Sequence, residues 1–570
     1  MRGSHEGTVT QGNIRARPRV DPSVPEALYT AAALLLVVAA VAWVAERVRL
    51  PVPILLVIVG IVLAVMPGMP AIELDPDVVM LMLLPPLIYY AAFSMSWHAF
   101  RENLRPILLM AIGCVIWTTV AVAVAGHWII HLPLGVAFIL GAVVSPPDVV
   151  APLAVAQRLG IPRRITAVLE GEGLVNDATA LILFNVALIA VLTGRFSIGV
   201  AVLDFVLVLL GETLWGFVVG YVMLRVRHYA REPRIEIMLS TLTPFFAFWL
   251  PHALGGSGVL ATVVAGMYTG AAGVNLIRSN TRLQALFFWD IAATIITGLI
   301  FLLTGLQART VAAGLDAATL WQLVLHGLLI SAVVIVVRFL WVFPATYVPR
   351  LLFPSVAARE LDGSWRFPFM VAFTGVRGVV SVAAVLSVPV ALAPGVPFPA
   401  RAQLLVLTFM VVVVTLVAQG LTMPFVVRKL GLVELGADER RERTQREAEA
   451  RVETARAALD RLEEACRQWK LPDDFLTLRR ERQRQHIRQL ESAQADGDGS
   501  DLAVRAHRME LQLIGAERNR LNQLVDDGRI SDEIRRRIER DLDLDEERLR
   551  RNVRGAAPDE DPLPVRLPWR

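Results

Sequence analysis

Thirteen apolar runs of roughly 17 to 28 residues, separated by short charged loops between Ala27 and about Arg428, constrain this chain more than any other feature. A run of that length can sit in lipid only as a helix, because every backbone polar group must find its partner within the segment. The runs lie near 27–46, 50–66, 78–96, 106–126, 133–156, 165–192, 198–224, 236–252, 256–273, 285–306, 318–345, 367–392 and 401–427. With 55% hydrophobic residues and a mean hydropathy of +0.54 over 570 residues, the sequence reads as an all-α polytopic membrane protein.

Orientation follows from the positive charges, since Lys and Arg near span ends stay on the cytoplasmic side. One set of alternate loops carries sixteen arginines, from Arg47 to Arg366, against Arg195, Arg309 and Arg401 in the other. The arginine-rich set, and with it the sequence after Arg428, is expected to be cytoplasmic. An odd number of spans then places the N-terminus outside. Residues 1–26 form a polar extension with no removable signal peptide evident. Cys114 and Cys466 offer neither a disulfide framework nor a thiolate metal cluster.

The chain divides into that extension, a transmembrane domain over 27–428, a cytosolic helical domain over 433–552 and a flexible tail over 553–570. The third segment turns abruptly Arg/Glu-rich, with Ala448, Val452, Ala455, Leu459, Leu462, Cys466 and Trp469 in a 4-3-4-3 spacing. An amphipathic helix packed on its neighbours or on the membrane domain is preferred to a parallel coiled coil. Pro472 ends it, DGDGS at 496–500 breaks the next helical stretch, and Ser531 before Asp532 and Glu533 reads as an N-cap.

Two runs break the rules of a membrane helix. Near the middle of the fifth, Pro146 and Pro147 remove two backbone donors and leave the carbonyls of Ala142 and Val143 without their usual partners. Asp148 follows at once, so a carboxylate and spare carbonyls gather where a hard cation finds oxygen ligands. The twelfth run places Arg377 between Gly375 and Gly378, again a charge at an expected break. Runs five and twelve are seven apart. Two six-span repeats joined by the seventh run would put them in matching, oppositely directed positions, as in an inverted-repeat transporter with discontinuous crossing helices.

The sixth run contains LEGEGLVNDATALILFN, with Glu170, Glu172, Asn176 and Asp177 in an apolar setting. Asp177 lies about twelve residues, roughly 18 Å, from one end of its span, and Asp148 about eight residues, roughly 12 Å, from the same side of its own. A mid-membrane carboxylate costs about 2.5–3.5 kcal/mol on insertion scales, so two at similar depth point to an ion pathway. Glu172 and Asn176 share a face, whereas Asp177 lies about 140° round from Glu172. Arg338, deep in run eleven, requires a carboxylate partner, and Glu172 is expected to supply it as a structural ion pair. Glu170 reads as an interfacial charge near Arg163 and Arg164. Thr179 and Asn185 read as ordinary interhelical polar groups.

SPPDVVAPLAVAQRLGIPRRITAVLEGEGLVNDATALILF, with LPPLIYYAAF, FLLTGLQ and TGVRGVVSVAAVLS, resembles the bacterial sodium/proton exchangers of the monovalent cation:proton antiporter-1 family over residues 27–428. DDGRISDEIRRRIERDLDL is similar to the C-terminal end of one bacterial branch. The resemblance implies a homodimer of thirteen-span subunits in the inner membrane, each with a scaffold and a core domain, exchanging Na+, sometimes K+ or Li+, for H+. It makes Asp177 the shared cation and proton carboxylate, Asn176 its partner, and Asp148 the carboxylate at the unwound helix, so that Asp177 and Asp148 would hold the transported Na+. Glu172 with Arg338 would be a structural pair and Arg377 the charge at the crossing helices. Asparagine at 176 implies electroneutral exchange. Where some relatives have Ser after the glutamate and Glu in the third span, this chain has Gly173 and Tyr90.

No cofactor and no nucleic-acid partner are expected. A K+/H+ exchanger on the same fold is the nearest alternative, and a gated cation channel a more distant one, since run five has Asp148 but no evident filter loop. A membrane-embedded hydrolase is disfavoured, because neither HExxH nor GxGD occurs.

Overall fold

The computed structural model describes residues 23–556 apart from 49, 68–71, 73, 231, 353–363, 394, 496–499 and 528. Most of the polar extension, Arg49, Arg231, Arg359, the first four residues of DGDGS and the end of the tail lie outside the described residues. The chain separates into two compact units, 1–436 and 437–570.

The first unit is built from helices. After α1 (Ser23–Val48) and α2 (Val52–Val65), a π-helical turn at Val78–Leu83 leads into α3 (Leu84–Ser94). The turn directly precedes Pro85 and Pro86, whose missing N–H groups interrupt the regular ladder. α4 (Trp97–Glu102) begins at Ser96, whose hydroxyl accepts from the Ala99 amide at 3.4 Å. α5 (Leu104–Leu108), a π-helical turn and α6 (Val115–Trp128) form one apolar rod. There follow α7 (Leu134–Val144), α8 (Val150–Leu159), α9 (Arg163–Thr193), α10 (Ile198–Tyr229), α11 (Pro233–Ala253) and α12 (Val259–Leu276). Next come α13 (Ser279–Ala312), α14 (Ala317–Leu352), α15 (Arg366–Phe373) and α16 (Val379–Leu386). α17 (Arg401–Val414) and α18 (Gly420–Lys429) flank a third π-helical turn at Thr415–Gln419.

Among the described residues, seven stretches are long and apolar enough to cross a bilayer by length and composition: 29–48, 104–128, 163–193, 198–229, 279–312, 317–352 and 401–429, with four shorter apolar helices beside them. α2 packs closely on α13 because Gly60 and Gly305 meet; a Cβ on Gly60 would lie 2.9 Å from Gly305 Cα.

The twelfth apolar run corrects the all-α expectation at its end. Helix stops at Leu386, ahead of Pro389, instead of reaching residue 392. Ala391–Ala393 (β1) then pairs antiparallel with Val396–Pro397 (β2). Proline disfavours helix in the residue before it, which explains the early stop.

The second unit contains most of α19 (Leu432–Gln468), then α20 (Asp473–Ala495), α21 (Ser500–Asp526) and α22 (Asp532–Ala556). Val452, Ala455 and Leu459 of the 4-3-4-3 stripe pack on Ile487 and Leu490 of α20, and Arg456 bonds Glu491 at 2.6 Å. The stripe therefore meets a neighbouring helix of the same chain, while Trp469 at its end is 72% exposed. Ser531 Oγ accepts from the Ile534 amide at 3.4 Å, an N-cap on α22.

Candidate functional site

α7 and α8 are two halves of one interrupted helix, and so are α15 and α16. The two interruptions touch: the Asp148 amide donates to the Val376 carbonyl at 2.6 Å. Asp148 Oδ1 accepts from the Val150 amide at 2.8 Å, at the start of α8. Gly378, the N-cap of α16, lies so close that a Cβ there would fall on the Asp148 side chain. The carboxylate of Asp148 thus stands between two helix N-termini, where the backbone dipoles favour negative charge. Both helices must open here because Pro146 and Pro147 supply no amide to one, and Gly375 and Gly378 flank the break in the other.

α9 passes beside this crossing. Asn176, fully buried, donates Nδ2 to the Pro147 carbonyl at 2.7 Å. Its Oδ1 is buried with no hydrogen-bond partner among the described residues. Asp177 is half-buried, and Asp148 is near enough to act on it electrostatically. Two carboxylates and an amide oxygen, all hard oxygen donors, are therefore on offer at the crossing. Gly173 owes its lack of a side chain to Val149: a Cβ would stand 2.5 Å from Val149 Cγ2. The space beside Asp177 that this glycine leaves is thus filled by the valine.

Arginines hold the opposite ends of the broken helices. α7 ends at Val144, and Arg377 donates from Nε to the Val144 carbonyl at 2.9 Å and from Nη2 to that of Ser145 at 3.3 Å. Arg377 Nη1 bonds the Gly375 carbonyl, and its backbone amide donates to Thr415 Oγ1 at 2.9 Å, where the third π-helical turn begins. Of the carbonyls expected to be spare, that of Ala142 accepts from the Ser145 hydroxyl at 2.9 Å. Arg338 does the equivalent for α15, donating to the Val371 carbonyl from Nε and Nη2 at 3.2 and 3.0 Å. It also meets Glu172 through two bonds, Nη1 to Oε1 at 2.5 Å and Nη2 to Oε2 at 2.8 Å. Both side chains are 1% exposed or less. Each interrupted helix therefore has a cation on its carbonyl end, as the macrodipole favours.

The other polar residues stand apart from this arrangement. Glu170 is half-buried with Arg163 as the cation acting on it, Thr179 bonds the Val175 carbonyl of its own helix, and Tyr90 reaches Asp290 at 3.5 Å. Sequence reasoning passed over Glu212. It is 3% exposed in α10 and accepts from the amides of Ser257, Gly258 and Leu260 at 2.6–3.0 Å and from the Ser257 hydroxyl. It caps α12 from a neighbouring helix. A lone carboxylate in an apolar run was the available signal, the same one that singles out Asp177.

Known proteins resemble the chain as follows. The model of the transmembrane sodium/hydrogen exchanger family matches residues 33–429. An uncharacterised Na+/H+ exchanger of Mycobacterium bovis is 34% identical, over 88% of this chain and 93% of that protein. One of Escherichia coli is 31% identical over 87% and 93%. A sodium, potassium, lithium and rubidium/H+ antiporter of Bacillus pumilus is 33% identical over 67% of this chain and 58% of its own length. Among solved structures, the sodium proton antiporter MjNhaP1 of Methanocaldococcus jannaschii superposes with a TM-score of 0.58 at 19% identity, covering 71% of this chain and 99% of that one.

Proposed function

We propose, since the chain belongs to the sodium/hydrogen exchanger family and is a multi-pass membrane antiporter of cation against proton, that it exchanges Na+ for H+ one for one by alternating access. The observation that carries the proposal is the contact of the two interrupted helices at Asp148 with Asn176 and Asp177 alongside. In this reading the chain spans a bacterial inner membrane thirteen times as two inverted repeats, with its C-terminus cytoplasmic, and works as a homodimer.

Asp177 takes either load. Its carboxylate binds a proton or, with Asp148 and the free oxygen of Asn176, a cation; the two compete for one charge. An occupied site is locally neutralised, whereas an empty one would carry an unpaired charge through low dielectric at a cost of several kcal/mol. Movement of the loaded site is allowed and movement of the empty one suppressed, which couples the two fluxes. Arg377 and Arg338 keep the broken ends in register while the site moves. Asn176 holds the Pro147 carbonyl and adds no charge, which fits electroneutral exchange.

K+ is the second reading, favoured by the name of the Bacillus pumilus relative, a sodium, potassium, lithium and rubidium/H+ antiporter. The deciding experiment is pH-driven exchange in proteoliposomes against Na+, Li+ and K+, with and without a membrane potential. Greater apparent affinity for Na+ and no response to potential support the proposal. Tighter K+ handling selects the second reading, and potential-driven exchange removes the one-for-one stoichiometry.

A further inference from the structure

Where α10 ends and α11 and α13 begin, further charged and polar groups are buried. Arg227 is 1% exposed, Glu236 2% and Thr281 0%. Arg227 Nε and Nη1, Glu236 Oε2 and Thr281 Oγ1 have no hydrogen-bond partner among the described residues. Leaving such groups unpaired is expensive, about 1–3 kcal/mol each and more for charges, and Glu236 among them reaches open space. Glu236 lines an adjoining cavity of about 390 Å³ together with His228, Tyr229, Leu276 and Arg278. That cavity brings a carboxylate together with basic and hydroxyl groups.

We propose that this cavity binds the headgroup of a zwitterionic aminophospholipid, its ammonium on the Glu236 carboxylate and its phosphate among Arg278, His228 and Tyr229. Both signs are required of the ligand. A phosphate alone would face the charge of Glu236, and a simple cation would be opposed by Arg278. A lipid is favoured over a soluble molecule because the surrounding helix faces are apolar and outward-facing: Val226 is 44% exposed, Ile235 47% and Met238 65%. Acyl chains can lie on those faces while the headgroup enters between the helix ends, at the level where arginine-rich termini meet lipid phosphates. None of these residues belongs to the ion site, so the inference stands or falls separately from the proposed exchange.

The test is thermal unfolding of the full-length protein in detergent, titrated with phosphatidylethanolamine, phosphatidylcholine, phosphatidylglycerol or free phosphoethanolamine. Phosphatidylcholine keeps the phosphate and the positive charge but has no N–H to give Glu236. Phosphatidylethanolamine is expected to stabilise at about tenfold lower concentration than phosphatidylcholine or phosphatidylglycerol, the weight of one charge-assisted hydrogen bond. Glu236→Gln should erase that preference, and Arg278→Gln should weaken both nitrogen-bearing lipids alike. Equal action of phosphatidylethanolamine and phosphatidylcholine on the wild type overturns the proposal, and that comparison needs no variant to fold. A preference that survives Glu236→Gln overturns it as well, and free phosphoethanolamine acting as strongly as the lipid overturns the membrane source.

Discussion

Replacing Glu172 by Gln removes one half of a buried ion pair whose two hydrogen bonds measure 2.5 and 2.8 Å. The guanidinium of Arg338 is left without a counter-charge at 1% exposure. Removing one member of such a pair costs about 3–5 kcal/mol, because the survivor is stranded out of water. Arg338→Gln should cost at least as much, since it also frees the Val371 carbonyl on which α15 ends. With both changed, neither charge is stranded, and the double variant should be little worse than the harsher single one. The cycle then closes with a coupling of about 3 kcal/mol, the worth of two charge-assisted hydrogen bonds at about 1.5 kcal/mol each. Equilibrium unfolding in mixed SDS and mild detergent micelles, read by tryptophan fluorescence, provides the four free energies. A coupling below about 0.5 kcal/mol would mean that the two residues act independently and would refute the reasoning.

Further predictions concern the crossing and the scaffold. Gly378→Ala drives a Cβ into the Asp148 side chain, so exchange should fall at least tenfold while thermal stability changes less than for Glu172→Gln; full activity would contradict the close contact. Arg377→Met leaves the Val144 and Ser145 carbonyls unpaired, and a loss of about 2–4 kcal/mol in the same unfolding assay is expected. Glu212→Ala strips the cap from α12 and should lower the unfolding temperature, with the exchange rate per folded molecule unchanged. Asn176→Asp adds a charge beside Asp177, and exchange, proposed to be indifferent to membrane potential in the wild type, should become driven by it in the variant.

The breaks and charges of the membrane helices are legible in the sequence because lipid allows few exceptions. Pro146-Pro147 takes two amides out of the helical ladder just ahead of a carboxylate, and Arg338 in an apolar run requires an anion; the guanidinium meets Glu172. What local pattern could not reveal is which carbonyl faces which donor. The bonds of Arg377 to Val144 and Ser145, and of Arg338 to Val371, depend on how two breaks lie against each other. Gly173 is similar: its empty side takes Val149, a residue 24 positions away that only the crossing brings near. The ribbon after Leu386 was hidden by a run whose hydropathy continued past Pro389, a proline that marks the stop without announcing the strands.

Proteoliposomes containing wild type or Asp177→Asn, loaded with Na+ and challenged with an opposing pH gradient, test the central claim most directly. The account predicts Na+-dependent proton flux in the wild type and none above empty vesicles in the variant, with both proteins eluting and melting alike. Flux retained by Asp177→Asn would show that the coupling carboxylate lies elsewhere.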